Sequence, residues 1–166
     1  MNDTRRIRPH SALAVLPAFA LFAIMQACGG SDDAAAQQAV ADPIEGVWEG
    51  TATLTNCTTG AVLTTFSAAS VYHHGGTMGD TNSTPTVTRG PGFGIWTRQG
   101  STYTIKFRFF AYDSTGALIG TRRVTRTVTL GPTGNTATGT NISELFSPAG
   151  ASLGSACGTD TGTRVL

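Results

Sequence analysis

Lysine is almost missing from this chain: Lys106 is the only one among 166 residues. Charged residues make up 13% of the sequence, and no run of like charges occurs. Such a chain offers no basic stripe for nucleic acid. No window carries a helical period long enough to define a helix. No cluster of Cys, His and acidic residues has the spacing of a metal site. No nucleophile elbow is present, and the Gly-rich stretches "GPGFG" and "HHGGTMG" lead into no helix, so they are turns and not phosphate cradles.

The first thirty residues differ from the rest. Arg5, Arg6 and Arg8 face a single Asp3, and Ser11 to Ala27 is then uncharged and rich in Ala, Leu and Phe. A basic start, a short apolar run and small residues at its end describe a secretory signal over residues 1–27. The apolar run lies at the lower limit for a retained membrane anchor, which is the alternative. Arg8 and Pro9 sit where a twin-arginine signal would carry apolar residues, so that reading is not favoured. Taking three arginines and Asp3 away from 11 basic and 10 acidic residues leaves 8 and 9, so the remainder is near neutral.

Met25-Gln26-Ala27-Cys28 resembles the lipobox of bacterial lipoproteins, with Gln26 as a departure. The resemblance implies cleavage before Cys28 and a diacylated N-terminus. Two or three acyl chains anchor firmly, at about 0.8 kcal/mol per buried methylene. Residues 28–42 are small and polar and read as a tether. The expected location is the bacterial cell envelope. Gly29, where an aspartate would favour the inner membrane, points to the outer one, and secretion is the alternative. Three cysteines in an exported chain leave one over. With lipid on Cys28, Cys57 and Cys157 are free to pair.

From Pro43 onward the chain is rich in Thr, Val and Gly. Short alternating runs at 44–57, 61–73, 76–89, 92–98, 101–113, 117–130, 135–146 and 150–165 are separated by turn chemistry such as "DSTG" and "GPTGN". Residues 43–166 therefore read as an all-β domain: an eight-stranded antiparallel up-and-down barrel, closed so as to leave no edge. In "STYTIKFRFFAY", Tyr103, Ile105, Phe107, Phe109 and Ala111 share one face, opposite Thr104, Lys106 and Arg108. Arg122 and Arg126 share a face with Val124 and Val128. An exterior or rim position is expected for Arg122, and Arg126 is left open.

Gly46-Val47-Trp48 is similar to the G-x-W signature of lipocalins and related calycin barrels. The resemblance implies that Trp48 closes one barrel end and that Arg164 packs across its indole. Antiparallel pairing of the first and last strands supports this. One register brings Trp48 to Arg164 and, within a diagonal step, Cys57 to Cys157. More broadly, residues 44–166 resemble a bacterial family of small exported domains. The resemblance is carried by "NCTTGAVL", "HHGGTMGDTNSTP", "GPGFGIWTRQGSTYTIKFRFFAYDSTGALIGTRRVTRTVTL" and "GSACGTDTGTRV". It implies a calycin-like fold and export rather than an activity.

No catalytic residue, metal or cofactor is assigned. Adjacent histidines on a strand point to opposite faces, and "HHGG" sits at a turn with no acidic or Cys cluster nearby, so His73 and His74 read as a hydrogen-bonded turn rather than a metal or haem site. Asp113, Glu49 and Glu144 are candidate carboxylates; Asp113 opens a turn and Glu49 lies on the outward face of the first strand, and neither has a partner that would tune it. Two aromatic groups are candidates for lining a cavity: Tyr103, Phe107 and Phe109, and Phe93 with Trp96. The expected function is that of a non-enzymatic, lipid-anchored barrel that binds a small apolar ligand. The alternatives are an interaction protein with a filled barrel and a cyclase-like enzyme. An open apolar cavity favours the first and a filled interior the second. A cavity holding a charged pair with shifted pKa favours the enzyme.

Overall fold

The computed structural model describes residues 41–165. The signal, Cys28 and the tether up to residue 40 lie outside the described residues. Alternating sequence becomes eight strands: β1 (Gly46–Thr55), β2 (Val62–Tyr72), β3 (Thr77–Asn82), β4 (Gly92–Gln99), β5 (Thr102–Tyr112), β6 (Leu118–Leu130), β7 (Thr136–Phe146) and β8 (Ser152–Arg164). Each strand pairs antiparallel with the next, and β1 pairs with β8. The sheet is a closed up-and-down barrel, and no helix occurs among the described residues. Every strand has a neighbour on both sides, although the β2–β3 ladder covers only Ala68 to Tyr72 of β2.

The period of two decides what lies inside. On β5, Tyr103, Ile105, Phe107 and Ala111 are buried, while Lys106 and Arg108 are exposed. The third strand is shorter than the sequence implies: β3 ends at Asn82. Pro85 and Pro91 cannot donate to a ladder, and residues 83–91 form a loop instead. That loop returns through a single bridge between Arg89 and Ala111. On β6 the pairing with β7 runs unbroken from Thr121 to Leu130. No bulge reverses the face, so Arg122 and Arg126 both point inward with Val124 and Val128. The exterior position expected for Arg122 is thereby corrected: it is half-buried on the inner face, four residues from the start of β6.

One end of the barrel is plugged. Ile44, Trp48, Met78, Trp96, Tyr103, Ile105 and Val128 belong to one buried apolar cluster there. Trp48 Nε1 donates to the Ile44 carbonyl at 2.8 Å, which draws the incoming chain over the end. The Arg164 guanidinium lies 4.6 Å from the Trp48 ring and also donates to the carbonyls of Pro43 and Glu45. A cation over an indole contributes about 0.5–2 kcal/mol. At the other end, Cys57 and Cys157 form a disulfide with a Cα–Cα distance of 4.9 Å. It ties the chain leaving β1 to β8.

The plug also sets a limit in alkali. The Tyr103 hydroxyl donates to Asp42 Oδ1 at 2.7 Å. Burial and this carboxylate raise the Tyr103 pKa to about 12. Burial also raises that of Tyr72. An unfolded tyrosine ionises near pH 10. The stabilisation tied to neutral Tyr103 is thus complete below about pH 10 and is lost as pH rises toward 12. The urea midpoint should fall across that window, and Tyr103→Phe should fall less steeply. Parallel curves would remove Tyr103 as the cause.

Candidate ligand cavity and its charged interior

Small residues leave the open half of the barrel unfilled. Ala52, Ala68 and Gly162 face inward where larger side chains would fill the bore, and Gly50 lies beside them where the β8 backbone comes close. The result is a cavity of about 340 Å³ that reaches toward the loop at 83–91. Its walls are mostly apolar and include Leu54, Phe66, Phe107, Phe109, Val124 and Val128. The Phe107 and Phe109 rings stack with centroids 6.4 Å apart. Phe107 itself occupies room left by Gly94, whose added Cβ would come 2.5 Å from the Phe107 Cβ.

Six charged residues border the cavity; Glu49 is exposed and by strand parity turns its side chain outward, which leaves Asp80, Arg89, Arg122, Arg126 and Asp160 facing the interior. Four of them form two ion pairs. Arg126 donates to both Asp160 oxygens, at 2.6 and 3.2 Å, and to the Tyr72 hydroxyl at 3.2 Å. Asn141 Nδ2 adds a donor to Asp160 at 3.3 Å. Gly139 opens space for this group, since a Cβ there would come 2.9 Å from Asp160 Oδ1. Burial works against the charge on Arg126, but Tyr72 and Asp160 outweigh it and hold its pKa above the ordinary value.

The second pair joins the mouth to the wall. Arg89 reaches in from the 83–91 loop and donates to Asp80 Oδ1. The Ser70 hydroxyl donates to Asp80 Oδ2 at 3.1 Å. The Arg89 guanidinium also lies 4.1 Å from the Phe109 ring centroid. Burial raises the Asp80 pKa, against the pull of Arg89 and Arg126. Arg122 is different. Its side-chain hydrogen bond is a donation to the Ser143 hydroxyl at 3.2 Å. Among the described residues no carboxylate forms an ion pair with it. Burial lowers its pKa. Two further polar atoms are buried without partners, Arg89 Nε and Asn141 Oδ1.

The candidates read from sequence separate into three places. Phe107 and Phe109 are on the cavity wall. Tyr103 and Trp96 lie in the plug, 6.1 Å apart by ring centroid. Phe93 is 66% exposed on the outer face and lines nothing. Strand parity explains the correction: Phe93 and Trp96 are three residues apart on β4, so they point to opposite faces. Trp48 and Arg164 meet at the plug, and Cys57 and Cys157 meet at the mouth.

Sequence reasoning missed Asp80, Arg89, Asp160, Asn141 and Tyr72. Parity held a signal for one of them, because Asp160 has the same phase as Arg164. Asp113 serves its turn, accepting from the amides of Thr115 and Ala117. His74 meets Glu45 at 3.1 Å on the surface. Among the described residues, no three His, Cys, Asp or Glu side chains gather as a metal site.

Fold and site together define an eight-stranded antiparallel barrel with one plugged end and an internal cavity. Comparison of the chain with protein-family models, with curated proteins and with solved structures gives no match in any of the three.

Proposed function

We propose that this chain is a lipid-anchored envelope protein whose barrel binds a small, mostly apolar molecule. The cavity of about 340 Å³ carries the binding half of this reading. It lies at the lower end of the range for small-molecule pockets, and a few polar groups converge on its apolar walls. The anchor half rests on Cys28 in the lipobox-like "MQAC".

Binding is tested with a neutral fluorescent dye, 1-N-phenylnaphthylamine, and the full chain extracted in non-ionic detergent. The signal is the difference between the native chain and Ala68→Trp, a substitution that fills the cavity. The native chain should bind the dye at least tenfold more tightly. Equal binding would place the dye outside the barrel and end the reading. Intact mass tests the anchor. The extracted chain should begin at Cys28 and carry acyl mass, whereas an unacylated mass would mean secretion.

An enzyme is the second reading, favoured by charged groups with shifted pKa inside the cavity. Against it, both oxygens of each interior carboxylate already accept hydrogen bonds. Neither Asp80 nor Asp160 has an unpartnered oxygen to take up a substrate proton. Recovery of a chemically altered ligand would turn the argument toward catalysis.

A further inference from the structure

We propose that the cavity selects a small organic monoanion, an apolar body bearing one carboxylate, and that Arg122 binds its head. The inference rests on the ligand-binding reading above and names the ligand class.

Charge inside the barrel does not balance. Arg126 is matched by Asp160 and Arg89 by Asp80. Arg122 is the third cation, and among the described residues no carboxylate pairs with it. A guanidinium presents five N–H donors. The Ser143 hydroxyl takes one from Arg122. That bond also places the head. Ser143 is the β7 partner of Val124, so the Arg122 side chain leans one layer deeper into the bore than its own backbone. It meets the cavity among apolar walls, where a planar fork is suited to a carboxylate held by two parallel hydrogen bonds.

An unpaired cation in such a place is costly unless something compensates it. A bound anion supplies the compensation, and the charge count sets how much. With two ion pairs closed, the interior carries one excess positive charge. A monoanion neutralises it, while a phosphomonoester dianion would bring a surplus negative charge into the same apolar space. A cavity of about 340 Å³ takes a small organic molecule and no more. Octanoate has ten heavy atoms and is the natural probe.

The experiment is competition against the neutral dye at pH 8 with the full detergent-extracted chain, Ala68→Trp serving as background. Octanoate should compete at least tenfold more tightly than 1-octanol, and more tightly than octyl phosphate. Arg122→Met should bind the dye but lose the preference for octanoate over octanol, and Arg122→Lys should keep part of it. Octanol matching octanoate in the native chain would overturn the proposal while leaving the cavity reading intact. So would a preference that survives in Arg122→Met, and octyl phosphate binding more tightly would overturn the monoanion. If Arg122→Met fails to bind the dye, Arg122→Gln decides by the same comparison. Failure of the dye to enter the native barrel would overturn both readings.

Discussion

Asp160→Leu should be the most damaging single substitution in the barrel wall, costing about 3–5 kcal/mol. The carboxylate is 5% exposed and accepts both Arg126 donations, at 2.6 and 3.2 Å. Removing it leaves a guanidinium buried against Tyr72 with no carboxylate hydrogen-bonded to it. Breaking a buried pair costs far more than the pair itself contributes, because the surviving charge is stranded. The double variant Arg126→Met/Asp160→Leu should therefore be more stable than Asp160→Leu alone. Urea melts of the native chain, both single variants and the double variant form the necessary cycle. Strict additivity of the two losses, or a loss below about 1 kcal/mol in Asp160→Leu, would mean that water reaches the pair and screens it.

The same reasoning places the two ion pairs and Arg122 in different roles. The pairs neutralise themselves, and each crosses between distinct parts of the barrel: β6 to β8, and the mouth loop to β3. They hold the bore open with polar contacts in a region that Gly and Ala leave empty. Arg122 carries an unmatched charge next to apolar walls, so it adds cost to the empty barrel and is the group a ligand would relieve. A site that costs stability while empty is the usual compromise between folding and binding.

Much of the architecture was legible because it depends on local rules. Turn residues at short intervals and the two-residue period of β5 point to a meander. Closure follows from the exposed edges a meander would otherwise have. The Trp48–Arg164 and Cys57–Cys157 contacts follow from one antiparallel register of β1 and β8. The interior chemistry was less legible. The partners of Arg126 lie 34 and 54 residues away, at Asp160 and Tyr72, on strands that only the closed barrel brings together. Without those partners in view, an arginine on an apolar face reads as exterior. Strand parity was the stronger rule at Arg122, as it was at Phe93. The length of β3 was misjudged for a local reason, since Pro85 and Pro91 end the ladder that the Thr-rich sequence would otherwise continue.

Loss of the disulfide should lower stability by about 2–5 kcal/mol. For a domain of this size that is a fall in melting temperature on the order of 10 °C. The bond spans a sequence separation of 100 residues and sits at the seam where β1 meets β8. That seam is the least local pairing in the fold. If the strands pair in chain order, Trp48 meets Arg164 last, and closing so long a loop is the costly step. A cross-link between Cys57 and Cys157 keeps the two ends of the seam close in the unfolded chain, so its main effect should fall on the folding rate. Cys57→Ala/Cys157→Ala should fold at least tenfold more slowly and unfold at nearly the native rate. Stopped-flow refolding of the oxidised chain and the double variant measures both limbs. If unfolding accelerates and folding does not change, the bond acts as a clasp on the finished barrel. The seam then closes early, and the last strand is not the last event.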